Sequence, residues 1–318
     1  MSEDGRLLVV ALGGNAIQKP GQAGTAEEQR ENIAAACRHL ASLVKSGYRL
    51  VLTHGNGPQV GSILLQNEAA RDVAPPMPLD ICGAQSQGFI GYMFQQSLSA
   101  ALSELGVRTP VTTIVTQTRV SADDPDFADP SKPIGPFYSE EEALVLAREK
   151  GFVVKEDSGR GWRRVVPSPD PVGIVERESI RHLVDSGNIV IASGGGGIPV
   201  VEGSDGKLRG IEAVIDKDLA GERLAADVDA DGFVILTDVE GVAINFGTRS
   251  QEELRNITAA EADRFLAEGH FRAGSMKPKV MAAVRFVRGD GRRWAVIGGL
   301  EGAELAVQGR GGTRITHG

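Results

Sequence analysis

Three short apolar runs in this chain each end in glycines. Residues 7–12 run into Gly13-Gly14-Asn15, and residues 49–53 into His54-Gly55-Asn56-Gly57. Residues 189–192 run into Ser193 and then Gly194, Gly195, Gly196 and Gly197. Glycine lets backbone N–H groups approach an anion closely and point at it. A helix start beside such a turn adds partial positive charge. Any one cluster reads more simply as a tight strand-to-helix turn. Three on the carboxyl edge of one parallel sheet, where open α/β sheets bind ligands, make an anion-favouring rim.

The cations point the same way. The chain has 25 arginines and only 9 lysines. Where charge alone is needed it uses arginine, so the lysines stand out as compact, movable point charges. Lys132 lies in Ser131-Lys132-Pro133-Ile134-Gly135. Lys217 is flanked by Asp216 and Asp218, and Lys277 and Lys279 surround Pro278. A lysine is usually a solvated surface charge, but these sit in Gly/Pro/Asp contexts at element ends. Asp216 and Asp218 fit a pair that orients lysines, and either also reads as a helix N-cap. Thr237-Asp238, at a strand end before Gly241, reads as a nucleotide-contacting loop or an ordinary turn. Phosphoryl transfer needs this equipment: positive groups that hold the transferred group and offset charge on both flanking oxygens.

Other chemistries lack their residues. Gly206-Lys207 is followed by Leu208, so the phosphate-loop pattern fails. Gly55-x-Gly57-x-x-x-Gly61 has one residue too many for a dinucleotide fingerprint. There is no HExxH, no serine-hydrolase elbow and no protein-kinase signature set. The five histidines do not cluster, which argues against zinc. Trp162 with Arg160, Arg163 and Arg164 reads as packing and solvation of an insertion rather than nucleic-acid binding.

The elements that must position these residues alternate. Thr25 and Glu28 form a capping-box signature before a helix that stops near Gly47. Residues 49–53 form a strand, and Pro58 suits the first turn of the next helix. Residues 84–105 read as a long helix, 111–118 as one threonine-rich strand, and 189–192 as a strand. A helix starts near Asp218, followed by strands at 233–237 and 294–297, the last of them followed by Gly298-Gly299. Strand–helix alternation implies a parallel sheet covered on both faces. Residues 123–136 and 153–171 break the pattern and read as an inserted subdomain or lid.

Composition sets the remaining bounds. The 318 residues carry a net charge of −8, with 41% hydrophobic and 24% charged residues, and 41 glycines. The acidic balance excludes a bulk nucleic-acid binder. Two cysteines, Cys37 and Cys82, are too few for a disulfide framework. The longest uncharged stretch, 81–103, holds four glutamines and several serines and reads poorly as a membrane span. A cytoplasmic protein with no membrane partner is expected.

Taken together, the stretches resemble the carbamate kinases of the amino-acid kinase superfamily. They are ALGGNAI (11–17), SGYRLVLTHGNGPQVG (46–61), SKPIGPF (131–137), KEDSGRGWRRVVPSP (155–169), SGGGGIPVV (193–201), EAVIDKDLA (212–220), VILTDVEGV (234–242) and GHFRAGSMKPKV (269–280). They span nearly the whole chain in family order. The GGN and HGNG motifs alone support only the superfamily; KPIGPF and GRGWRRVVPSP narrow it. The resemblance implies a three-layer α/β/α sandwich with a mainly parallel central sheet, in one domain of two lobes. The lobes are about residues 1–212 for carbamate or carbamoyl phosphate and about 213–318 for the nucleotide, with a protruding subdomain at about 119–171. It implies reversible phosphoryl transfer between ATP and carbamate, Mg²⁺ held mainly by the nucleotide phosphates, a homodimer, and a place in arginine catabolism with ATP synthesis.

The resemblance also implies roles. Gly13, Gly14 and Asn15 hold the transferring phosphoryl group through backbone and amide donors, with Gly194, Gly195 and Gly196 on the same rim. Gly55, Asn56 and Gly57 line the carbamate side. Lys132 reaches in from the subdomain. Lys217 and Lys279 engage the nucleotide phosphates and the transition state. Asp218, with Asp216, orients them, and Thr237 and Asp238 meet the nucleotide. The chain departs from the family pattern at Gly298-Gly299, at Ala243 and at Gln85. Two other readings are a related kinase with a different carboxylate or phosphonate acceptor and a silent nucleotide-binding relative. A silent relative would have lost one of Lys132, Lys217 and Lys279, all of which are present.

Overall fold

The computed structural model describes residues 5–157, 159–272 and 274–318. Residues 1–4, Ser158 and Ala273, which fall in the polar start and in two of the matching stretches, lie outside the described residues. The first half contains β1 (Leu7–Leu12), α1 (Ala26–Lys45), β2 (Arg49–His54), α2 (Gly57–Ala69), α3 (Leu79–Glu104), β3 (Val111–Thr113), β4 (Gln117–Val120), β5 (Lys132–Tyr138), α4 (Glu140–Lys150), β6 (Val154–Glu156), β7 (Trp162–Val166) and β8 (Pro171–Ile174). Then follow α5 (Arg177–Asp185), β9 (Ile189–Ile191), β10 (Ile198–Glu202), β11 (Leu208–Gly210), α6 (Lys217–Asp227), β12 (Gly232–Thr237), β13 (Val242–Ile244), β14 (Glu252–Leu254), β15 (Asn256–Thr258), α7 (Ala259–Ala267), α8 (Met276–Gly289), β16 (Trp294–Gly299), α9 (Ala303–Val307) and β17 (Thr313–Thr316).

The main sheet has the order β15-β17-β16-β12-β1-β2-β9-β3. Every neighbouring pair is parallel except β16 with β17. Side chains alternate across it with the period of two that a strand dictates. Leu7, Val9 and Ala11 enter one core with α5, α6, α7 and α8. Leu8, Val10 and Leu12 enter the other with α1, α3 and α9. A strand buried on both faces must be apolar throughout, which is why LLVVAL shows no alternation. The result is the three-layer α/β/α sandwich with a mainly parallel sheet.

Local signals hold α1 in place. Thr25 accepts from the Glu28 N–H at 3.2 Å, and the Glu28 carboxylate accepts from the Thr25 N–H at 3.0 Å. These two bonds close the capping box. The insertion folds as an antiparallel sheet, β5-β7-β6, with α4 beside it. Its Ile134 and Val166 pack on Val60 of α2 and on Leu79 and Cys82 of α3.

Three boundaries differ from the sequence reading. Residues 111–118 form two strands in two sheets, not one. Between them, the buried Gln87 amide takes both backbone groups of Thr116: Oε1 accepts from its N–H at 2.7 Å and Nε2 donates to its carbonyl at 3.1 Å. The carbonyl also accepts from the Ile198 N–H at 2.9 Å, so Thr116 is already turned to β10 where the chain leaves the main sheet. α3 begins right after Pro78, earlier than residue 84, because Gly83 is tolerated inside it. Gly298 and Gly299 lie within β16 rather than after it, and a Cβ on Gly299 would meet the Glu240 carboxylate.

α3 approaches β3 so closely that a Cβ on Gly91 would overlap the Thr113 side chain. The Thr113 hydroxyl is buried and has no hydrogen-bond partner among the described residues. Overpacking typically costs ~1–3 kcal/mol, and the helix propensity gained from alanine returns ~1 kcal/mol. Gly91→Ala is expected to lower the urea unfolding free energy by about 1–2 kcal/mol. In a Thr113→Ala background, the same change should cost nothing.

Candidate active site

The three glycine clusters follow β1, β2 and β9, which are adjacent in that order. They therefore meet on one edge. Not all of their N–H groups are free. Gly13 N–H donates to the Leu236 carbonyl at 2.9 Å and Gly55 N–H to Leu12 at 3.1 Å. Those two glycines close the sheet edge instead of offering donors, a correction to the reading that Gly13 holds an anion through its backbone. Among the described residues, the N–H groups of Gly14, Asn15, Asn56, Gly57 and Gly195 have no protein acceptor. Gly55 is needed for closeness: its Cβ would come 3.3 Å from the Lys217 side chain and 3.4 Å from Gly14 N. The Asn15 amide is also committed, donating to Asp238 Oδ2 at 3.2 Å.

The third cluster is held in a bent backbone. Ser193 is buried at φ 51°, a left-handed conformation unusual for a side-chain-bearing residue. Two threonines pin it. Thr116 Oγ1 accepts from its N–H at 3.0 Å, and Thr53 Oγ1 donates to its carbonyl at 2.9 Å. Gly195 and Gly196 continue at positive φ, and a Cβ on Gly196 would strike the Ile215 carbonyl, next to Asp216.

The lysines converge opposite this rim. α6 starts at Lys217, and Asp216 caps it, accepting from Asp218 N–H at 2.9 Å through Oδ1. The other Asp216 oxygen pairs with Lys132 Nζ at 2.9 Å, which comes in from β5 of the subdomain. Asp218 pairs with two lysines, Lys217 at 2.6 Å and Lys279 of α8 at 3.1 Å. Its side chain is only 4% exposed. Burial works to raise the Asp216 carboxyl, but the charge and hydrogen bond of Lys132, the Asp218 N–H and Lys217 outweigh it and hold it below the usual range. Burial, and then the neighbouring Lys217, push Lys279 below an ordinary lysine despite Asp218. His54 is buried and pushed down to about 4 by desolvation. Its Nδ1 faces the Gly55 carbonyl at 2.9 Å and its ring stacks on Phe94. It stays neutral near neutral pH and shapes the turn.

These groups line a cleft of about 560 Å³ with Gly14, Asn56 and Gly195 on its floor. A second, narrower pocket of about 130 Å³ lies between Thr237-Asp238, Ala243, Phe246, His270 and Met276. Lys279 lines both, so a ligand in each meets at that lysine.

Residues 6–298 match the amino acid kinase family. The carbamate kinase of Pyrococcus horikoshii is 55% identical over 311 residues, covering 97% of this chain and 98% of that protein. That of Clostridium perfringens is 48% identical, with 97% and 99% covered. The chain belongs to the carbamate kinases. A solved structure of Giardia lamblia carbamate kinase bound to AMP-PNP superposes with a TM-score of 0.93 at 44% identity, covering 99% of each chain.

Within this family frame, some cleft residues escaped the sequence reading. Arg160 and Arg163, assigned there to the insertion's surface, line the cleft. Both guanidinium groups lie 5.1 Å from the Phe137 ring. Arg163 also donates to the Gly135 carbonyl at 2.9 Å, where β5 bulges away from β7. Arg164 and Trp162 do pack the subdomain; Arg164 pairs with Glu212 and covers Phe152. Phe246 lies outside every matching stretch, and His270 and Met276, though inside GHFRAGSMKPKV, were given no role there. Of the family departures, Ala243 lines the second pocket, whereas Gln85 is an exposed residue of α3.

Asp218 is the carboxylate paired with both Lys217 and Lys279. Removing one partner from a buried pair leaves the other charges uncompensated, a loss of ~3–5 kcal/mol when burial is complete. Lys217 and Lys279 retain some solvent, so Asp218→Asn is expected to cost about 2–4 kcal/mol in urea unfolding. Inorganic phosphate should restore part of that loss, because a bound anion supplies the missing charge.

Proposed function

We propose that the chain catalyses reversible phosphoryl transfer between carbamoyl phosphate and ADP, giving ATP and carbamate. The observation that carries this is the cluster of Lys132, Lys217 and Lys279 at the junction of two cavities, against a rim of unshared backbone N–H groups. The acyl phosphate fits the cleft among Gly14, Asn56, Gly57 and Lys132. The nucleotide fits the pocket of Thr237 and Asp238, its terminal phosphate directed to Lys217 and Lys279. The lobes are then residues 1–212 and 213–318, with the subdomain at 119–171 delivering Lys132.

The reaction asks little covalent work of the protein. A β-phosphate oxygen of ADP forms a bond to phosphorus as the bond from phosphorus to the carbamate oxygen breaks. Trianionic ADP and dianionic carbamoyl phosphate give tetra-anionic ATP and a carbamate monoanion, so neither charge nor protons are left over. No general base is needed, and the neutral, buried His54 is consistent with that. Charge compensation during transfer is the remaining task, and three lysines held by two aspartates supply it.

Asp216 and Asp218 are both engaged by lysines, and among the described residues no group of three or more His, Cys, Asp or Glu gathers. That donor set does not fit a cation held by the protein, and we assign Mg²⁺ to the nucleotide phosphates. The homodimer is proposed on the family resemblance. A cytoplasmic location is proposed from two unpaired, buried thiols; among the described residues no helix is long and apolar enough to cross a membrane.

Folded protein given carbamoyl phosphate, ADP and Mg²⁺ is expected to form ATP. Absence of ATP, or phosphorylation of N-acetylglutamate or aspartate instead, would overturn the assignment. Lys217→Ala and Lys279→Ala should each lower kcat by ~10²–10³ with folding retained. The alkaline limb of kcat/KM, which reports the free enzyme, should fall below the ordinary lysine range because Lys279 is depressed there. Lys279→Arg should move that limb up.

A further inference from the structure

One hydrogen-bond chain fixes which end of the Asn56 amide is tied to α3. Ser86, in α3, is fully buried. Its hydroxyl donates to the Gly83 carbonyl at 2.7 Å. A serine hydroxyl has one proton. With that proton given to Gly83, Ser86 Oγ can only accept, and Asn56 Nδ2 donates to it at 2.8 Å. The hydrogen-bond network therefore orients the amide. Its nitrogen turns toward α3, and among the described residues no hydrogen bond engages Oδ1 of this side chain, which lines the cleft. Gly195 makes room for this placement, since a Cβ there would overlap the Asn56 amide.

A lone carbonyl oxygen is misplaced for an anion in a cleft furnished with N–H groups and lysines. Its complement is an N–H donor. In the acyl phosphate proposed above, the phosphoryl and carbonyl oxygens offer only acceptors, and the amino group alone offers N–H. We propose that Asn56 Oδ1 accepts an N–H from the carbamoyl amino group, and that Ser86 is a positioning residue that keeps this oxygen aimed into the cleft. The inference rests on the phosphoryl-transfer reading and sharpens its substrate class: an acyl phosphate with –NH₂ on the carbonyl carbon, distinguished from one with a methyl group.

Acetyl phosphate, in which CH₃ replaces NH₂, is the probe. KM for carbamoyl phosphate and the competitive inhibition constant of acetyl phosphate are measured in the ATP-forming assay for the wild type, Ser86→Ala and Asn56→Ala. The wild type is expected to favour carbamoyl phosphate by about tenfold or more, the scale of one buried hydrogen bond left unmade. Asn56→Ala should raise the carbamoyl phosphate constant about tenfold and the acetyl phosphate constant less than about twofold. Ser86→Ala lets the amide turn, so the preference should fall about threefold or more while kcat holds. A parallel rise of both constants in Asn56→Ala, or an unchanged preference in both variants, overturns the proposal. A wild type that makes no ATP from carbamoyl phosphate refutes the phosphoryl-transfer reading itself, a result distinct from lost selectivity.

Discussion

Three ammonium groups brought together at one cleft repel one another unless anions stand between them. The structure answers this with two carboxylates at the first turn of α6. Asp218 lies between Lys217 and Lys279, and Asp216 divides its oxygens between the helix N-terminus and Lys132. Three cations against two anions leave the cleft net positive without stranding any charge. A fully neutralised cluster would bind phosphate poorly, and an unpaired one would weigh on the fold. The arrangement also joins distant segments: one lysine comes from the subdomain, one from α6 and one from α8. Their aspartates are two residues apart.

That convergence requires the sheet order. β1, β2 and β9 must be neighbours for their glycine turns to form one rim, and β12 must flank β1 for Thr237 and Asp238 to stand beside Asn15. Parallel pairing places all four carboxyl ends on the same edge. The Asn15–Asp238 hydrogen bond then links the turn after β1 to the turn after β12.

Much of this was legible in the sequence because it is local. Apolar runs that stop at glycines, the Thr25–Glu28 box and Pro58 each announce an element without help from the rest of the chain. The lysines were legible by their scarcity and their rigid neighbours. What could not be read depends on contacts far apart in sequence. Gln87 bonds both backbone groups of Thr116, 29 residues away, between two strands, and nothing in either segment reports that meeting. The spent N–H groups of Gly13 and Gly55 follow from strand pairing, so glycine count overstates the donors. Arg160 and Arg163 looked like surface because their fate depends on a bulge in β5 that turns Phe137 toward them.

The net charge of −8 and the positive cleft are compatible because they are properties of different surfaces. Most ion pairs of the described residues are arginine–carboxylate contacts, many with both side chains exposed, and such pairs contribute little individually. Lysine is used differently at the site, and the reason is geometric. A guanidinium is a broad planar fork suited to one fixed carboxylate. Transfer of a phosphoryl group needs charge that stays with the phosphate as bonds change on both sides of it, which favours a compact ammonium on a flexible stem. Asp216 and Asp218 hold those ammonium groups without enclosing them, since each carboxylate approaches from the α6 side only. In the proposed transfer, a phosphate exchanges places with an aspartate as the lysines' partner.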